Sequence, residues 1–226
     1  MPSHTETQWT DRIFAVREPD EFNALAIELF QWQAKYNPVY RTYLQHLGVA
    51  PASIQHPEQI PHLPIAFFKT HEVLLEGHEA ALTFRSSGTT GSTPSLHQLH
   101  DPSLYQRSFR EGFRLAYGAV DNYCLLALLP TYLERQDASL AYMAKHLIDD
   151  TGHPDSGFYL DQLDRLQATL QRLEAAGQPV LLLGVSFALL DLAEQMTFPL
   201  RHTVVMETGG MKGRRREMVR EELHRA

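Results

Sequence analysis

Cysteine is nearly absent: among 226 residues there is one, Cys124. An intramolecular disulfide is therefore impossible, and a zinc site built on several thiolates is excluded. Excess basic charge is missing as well. The net charge is −7, and the basic residues gather only in a short cluster, Lys212, Arg214, Arg215 and Arg216. That excludes the broad cationic face that nucleic-acid binding requires. No apolar run is long enough to span a bilayer, because the most hydrophobic stretch, 180–190, is interrupted by Gly184 and Ser186 and closed by Asp191. The opening residues are polar, with no basic segment leading into an apolar one. No secretory signal is expected, and the cytoplasm is the default address.

What is present fits a globular chain. Hydrophobic residues make up 43% and charged residues 21%, enough apolar matter for a sizeable core. Segment 21–36 reads as a helix with Phe22, Leu25, Leu29 and Trp32 near one face. A passage with Pro51, Pro57, Pro61 and Pro64 follows. Because Ile54, Ile60 and Leu63 recur through it, it reads as an ordered connection. Segment 80–84 reads as a strand and 102–117 as a helix, with Asp101 as N-cap and Pro102 at its first position. Strands at 123–129, 179–183 and 202–206 then alternate with helices at 137–147 and 187–195. Between them Leu160, Leu163, Leu166, Leu170 and Leu173 mark an amphipathic helix ending at Gly177, and a charged helix finishes the chain. This alternation predicts an α/β fold, a layered sheet with helices on both faces. Cys124 falls inside an apolar strand, where a thiol is inert. The predicted organisation is an N-terminal helical segment, 1–64, packed on an α/β core, 65–226.

The segment that carries chemistry is Ser86, Ser87, Gly88, Thr89, Thr90 and Gly91, directly after a predicted strand. Two glycines let the backbone turn tightly, and four hydroxyls add donors that reach phosphate oxygens or a magnesium ion. The same composition also fills ordinary surface turns. A P-loop would need a lysine after the second glycine, and Ser92 stands there; the Gly-x-Gly-x-x-Gly fingerprint is absent.

These six residues resemble the phosphate loop of the adenylate-forming superfamily, which includes acyl-CoA synthetases and luciferases. The usual continuation contains Pro and then Lys. Here Ser92-Thr93-Pro94-Ser95 lacks the lysine, which points away from ordinary CoA ligases. The acyl-protein synthetase family of bacterial luminescence is more similar, pairing such a loop with a nearby Ser and His, as at Ser95 and His97. Further segments resemble that family in order: Pro64-Ile-Ala-Phe-Phe-Lys-Thr70, Leu129-Pro-Thr-Tyr-Leu-Glu-Arg135, Ser156-Gly-Phe-Tyr159, Leu183-Gly-Val-Ser-Phe-Ala188 and Glu207-Thr-Gly-Gly-Met-Lys-Gly-Arg214.

The resemblance implies the large N-terminal domain of an adenylate-forming enzyme, with ATP and Mg2+ as cofactors. Ser86 to Gly91 would hold the phosphates, and Thr208, Gly209 and Gly210 would lie against the adenine. Tyr132, Val185, Ser186 and Phe187 would wall the acyl pocket. The implied reaction activates a fatty or other carboxylic acid as acyl-adenylate, then transfers it to a protein thiol. An acyl-acceptor protein or a reductase subunit is the implied partner. The family's C-terminal parts, with the catalytic lysine and the acyl-accepting cysteine, have no counterpart before Ala226, so the chain is expected to be an incomplete enzyme; catalytic residues are left unassigned.

Three other readings compete. A truncated nucleotide- or partner-binding domain is the main alternative. Gly184-Val-Ser-Phe-Ala188 imitates a hydrolase nucleophile elbow, although its last position is Ala, and only His202 and His224 follow as possible bases. The twelve histidines include no His-x-x-x-His pair beside a useful carboxylate; His97 and His100 could share a face, more simply as a solvated pair. The Lys212–Arg216 cluster reads as a solvated helix start or as a ligand or partner contact.

Overall fold

The computed structural model describes residues 6–86, 93–129, 137–160, 162–209, 211, 215–216 and 218–223. Contacts group the chain into two compact units, Met1–Leu104 and Tyr105–Ala226.

The first unit starts with three helices, α1 (Glu6–Ala15), α2 (Pro19–Tyr36) and α3 (Pro38–His46). Pro19 and Pro38 each begin a helix, where a missing N–H leaves no bond unmade. Asn37 links α2 to α3, its side chain accepting the Tyr40 N–H at 3.1 Å. The buried face of α2 is Leu25, Phe30 and Ala34. Phe22, predicted inward, is 58% exposed, because the face is set by the small core of Phe30, Ala34, Tyr40 and Leu44. Ile54, Ile60 and Leu63 of the proline passage pack on that core, and the Tyr40 hydroxyl donates to the Pro61 carbonyl at 2.6 Å. The passage is thus an ordered connection bound to the helices. Glu76 extends the same attachment, its N–H donating to the Tyr36 carbonyl at 2.8 Å. After the short α4 (Phe67–Thr70), β1 (Leu82–Arg85) and β2 (Leu96–Leu99) pair antiparallel, Leu82 opposite Leu99 and Arg85 opposite Leu96.

The second unit is a parallel α/β sheet. Its elements are α5 (Ser103–Tyr117), β3 (Cys124–Leu128), α6 (Ser139–Thr151), β4 (Gly157–Phe158), α7 (Leu163–Ala176), β5 (Val180–Gly184), α8 (Ser186–Gln195), β6 (Thr203–Glu207) and the short α9 (Arg220–Leu223). The strand order is β4-β3-β5-β6, and all three pairings are parallel. The chain therefore winds outward from β3 to β4, then crosses back to β5 and on to β6. Right-handed crossovers put α6 on one face and α7 and α8 on the other. Helix α5 lies with α6: the Arg110 guanidinium forks onto Asp150 at 2.6 and 3.1 Å. The second unit has the predicted α/β class, a parallel four-stranded sheet alternating with helices.

Covering both faces explains why β3 and β5 are buried at every position, as their continuous apolar runs require. Leu126, Leu166, Leu170 and Leu182 are at most 1% exposed; each contributes roughly 2 kcal/mol by burial. Leu160 precedes α7 rather than joining it. Gly152 and Gly177 end α6 and α7 with φ of 62° and 68°, left-handed caps that glycine adopts without strain.

Candidate functional site

In the parallel register Leu128, Gly184 and Glu207 stand side by side at the carboxyl ends of β3, β5 and β6. The strand order runs outward in opposite directions from β3 and β5, to β4 and to β6. In doubly wound sheets that point of divergence is where ligands bind. The predicted residues Val185, Ser186 and Phe187 follow β5 at this edge, and Thr208 and Gly209 follow β6. Tyr132 and Gly210 lie outside the described residues.

The edge is organised by a residue that sequence reasoning missed, Glu207. Its Oε1 accepts the Ser186 hydroxyl in a short hydrogen bond and the Gly209 N–H at 2.6 Å. The side chain folds back over its own turn and ties it to the first residue of α8. That position also suits a carboxylate, since the helix N-terminus carries partial positive charge. Thr208 is fixed independently: its N–H and hydroxyl both donate to the Gly184 carbonyl, at 3.0 and 3.2 Å. Gly209 adopts φ 79°, and a Cβ added there would meet none of the described residues within 4 Å. A signal for Glu207 exists in the sequence, a carboxylate ending an apolar strand just before Thr-Gly-Gly.

Val185, Ser186 and Phe187 are only 6%, 3% and 2% exposed. Val185 and Phe187 belong to the main core. A neighbouring cavity of about 240 Å³ is lined by other residues, among them Leu182, Leu192, Met196, Leu200 and Val205, with Glu207 as its ionisable group. The elbow-like Ser186 has a carboxylate partner and no imidazole; His202 is exposed, and its N–H donates to Glu174 at 3.1 Å. A hydrolase reading lacks its base among the described residues.

In the first unit, the glycine and hydroxyl loop joins β1 to β2. Ser86 and Ser95 close it: the Ser86 N–H donates to the Ser95 carbonyl at 3.0 Å, and the Ser95 N–H to Ser86 Oγ at 2.8 Å. Ser87, Gly88, Thr89, Thr90 and Gly91 lie outside the described residues. His97 lies in β2 and His100 in the bend just after it, and the two meet different rings. His97 meets Phe68 edge-on at 6.0 Å, and His100 meets His78 at 4.7 Å. Asp101 accepts the Ser103 N–H at 2.8 Å, satisfying one amide at the start of α5.

Two other sequence candidates have structural occupations. Arg215 forks onto α8, donating to Asp191 at 2.8 Å and to both oxygens of Glu194 at 2.7 Å. Both acids hold its guanidinium pKa above the ordinary value. Arg216 pairs with Glu222 at 3.3 Å; Lys212 and Arg214 lie outside the described residues. Cys124 is completely buried, and burial pushes its thiol up to about 11. Among the described residues no group of three or more His, Cys, Asp or Glu side chains is placed to hold a metal ion, and no helix is long and apolar enough to cross a membrane.

The chain matches no family model, no curated protein and no solved structure.

Proposed function

We propose that this chain binds ATP and activates a fatty or other carboxylic acid as an acyl-adenylate, for delivery to a protein thiol. The observation that carries the reading is the gathering of the Val185–Ser186 and Thr208–Gly209 turns at the carboxyl edge of a doubly wound sheet, where nucleotides bind in folds of this layout. The hydroxyl loop closed by Ser86 and Ser95 adds the composition suited to polyphosphate.

In the first step a substrate carboxylate oxygen forms a bond to the α-phosphorus of ATP. The bond from that phosphorus to the bridging oxygen breaks, and pyrophosphate leaves with its electron pair. In the second, a thiolate attacks the acyl carbon and AMP departs. Bringing two anions together makes positioning and charge neutralisation the main contributions to rate. In this reading the Mg2+ ion arrives with the polyphosphate substrate.

Cys124 is not the acceptor thiol in this reading, because it is fully buried with a raised pKa. The burial of Val185, Ser186 and Phe187, expected to wall the acyl pocket, favours a second reading, a nucleotide- or partner-binding domain.

Acid-dependent exchange of labelled pyrophosphate into ATP tests the first step, using a panel of carboxylic acids with Mg2+. Exchange that disappears in Gly88→Asp supports adenylation. ATP binding without exchange supports the binding-domain reading, and absence of both contradicts the nucleotide assignment.

A further inference from the structure

The cavity of about 240 Å³ lies where α8 crosses β5 and β6. Leu182 and Val205 are register partners on those strands, so their side chains share one face of the sheet. Leu182 and Leu192 of α8, each 1% exposed, make the inner wall. Met196 at the end of α8 and Leu223 of α9 continue the apolar lining. The way in from solvent is also visible, because Val205 is 47% exposed and Ala193 is exposed, and both line the cavity. Walls of this kind give water no hydrogen-bond partners, which favours an apolar occupant. The charge is one-sided. Glu207 is the single ionisable side chain on the lining, and no Lys, Arg or His joins it among the described residues. A ligand carboxylate placed there would meet like charge with no cation to balance it. Size narrows the occupant further. A cavity of about 150 Å³ accommodates benzene, so one of about 240 Å³ takes roughly eight to ten non-hydrogen atoms.

We infer that this cavity is a binding site for an uncharged aliphatic molecule, of the size of a medium-chain alcohol. It is a second site, separate from the Val185–Ser186 and Thr208–Gly209 turns, and it does not depend on the nucleotide reading. The carboxylic acid of the proposed reaction is not its ligand. Glu207 acts here as the group that turns acids away.

The test titrates the chain, without ATP, with straight-chain primary alcohols from butanol to dodecanol and with octanoate. Binding is read from the methyl resonance of Met196 in protein labelled at its methionine methyl groups, with Met143 of α6, which does not line the cavity, as reference. Thermal melts check folding. Each added methylene should tighten binding roughly three- to fourfold, and the gain should stop at about eight carbons, when the cavity is full. Octanoate should bind roughly tenfold or more weakly than octanol. Glu207→Gln should narrow that gap by strengthening octanoate, leaving octanol within about twofold. Ala193→Phe, a change at an exposed helix position, should fill the cavity and weaken octanol roughly tenfold or more. Leu223→Ala should enlarge it and move the plateau to longer alcohols. Equal shifts at Met143 and Met196, affinity that still rises through dodecanol, or no alcohol binding at all overturns the site. Octanoate binding as tightly as octanol overturns the assignment of an uncharged ligand. Each of these outcomes leaves pyrophosphate exchange, and with it the nucleotide reading, to be decided separately.

Discussion

Strands β5 and β6 are neighbours in one sheet with similar apolar sequences, yet they live in different surroundings. Every residue of β5 is buried, while Val204 and Val205 of β6 are 41% and 47% exposed. Strand β5 has partners on both sides, β3 and β6. Among the described residues β6 pairs only with β5. Burial holds β5 in place. Strand β6 is pinned at its ends by two glutamates. Glu174 accepts the Arg201 and His202 N–H groups at 2.9 and 3.1 Å and the Thr203 hydroxyl at 2.6 Å, and Glu207 closes the other end over its turn. A strand with one neighbour has fewer packing contacts to fix its position, and specific polar contacts supply the rest. The end that carries the candidate site is the one fixed by Glu207.

Truncating both strands breaks the comparison most sharply. Leu182→Ala in β5 removes a side chain that is 1% exposed and should cost about 2–5 kcal/mol. Val205→Thr in β6 should stay within about 0.5 kcal/mol of the unaltered chain. Denaturant unfolding of the two variants checks both values. Comparable losses would mean that β6 is buried in solution.

Gly184→Ala probes the junction between the two strands. The added Cβ would approach Leu189 side-chain atoms to 2.7 Å, so overpacking should cost about 1–3 kcal/mol. Thermal melts measure it. A second substitution, Leu189→Ala, should restore part of the loss by making room.

The pinning of β6 predicts a pH dependence. Burial raises the Glu174 pKa, but hydrogen bonds from Thr203, Arg201 and His202 outweigh it and leave the group below its ordinary 4.5. A carboxylate depressed by folding stabilises the fold above its unfolded value and loses that contribution as pH falls through the folded one. Glu174→Gln should therefore be less stable than the unaltered chain at neutral pH, and the two should converge as pH falls below the ordinary carboxylate value and through the depressed one. A constant gap across the acid range would remove the ionic part of this account.

The smallest effect belongs to the thiol. Cys124, fully buried and with a pKa of about 11, should react with a disulfide reagent only at the rate of unfolding. Rapid labelling of the folded chain would show that β3 opens.

The central sheet was legible because fully buried parallel strands are written as unbroken apolar runs, as at 180–183, and because glycines mark helix ends, as Gly177 does. Strand β2 was not legible: Leu-His-Gln-Leu has no β-branched residue and no long alternation, and it forms because β1 pairs with it. The inward face of α2 was misjudged at Phe22, since periodicity gives a stripe but partners choose its centre. The proline passage was legible as an ordered connection, because Ile54, Ile60 and Leu63 recur through it and pack on the small helical core. At the candidate site the turns were legible from glycines and hydroxyls. The role of Glu207 was not, because it depends on β5 and β6 lying side by side, which no local pattern records.

Amide hydrogen exchange of the chain with and without Mg-ATP tests the central claim most directly. The account predicts that ATP slows exchange at 184–187 and 207–209, the carboxyl ends of β5 and β6, while the opposite ends at Val180 and Thr203 stay unchanged. Protection spread evenly along both strands, or absent from the carboxyl edge at saturating ATP, would contradict it.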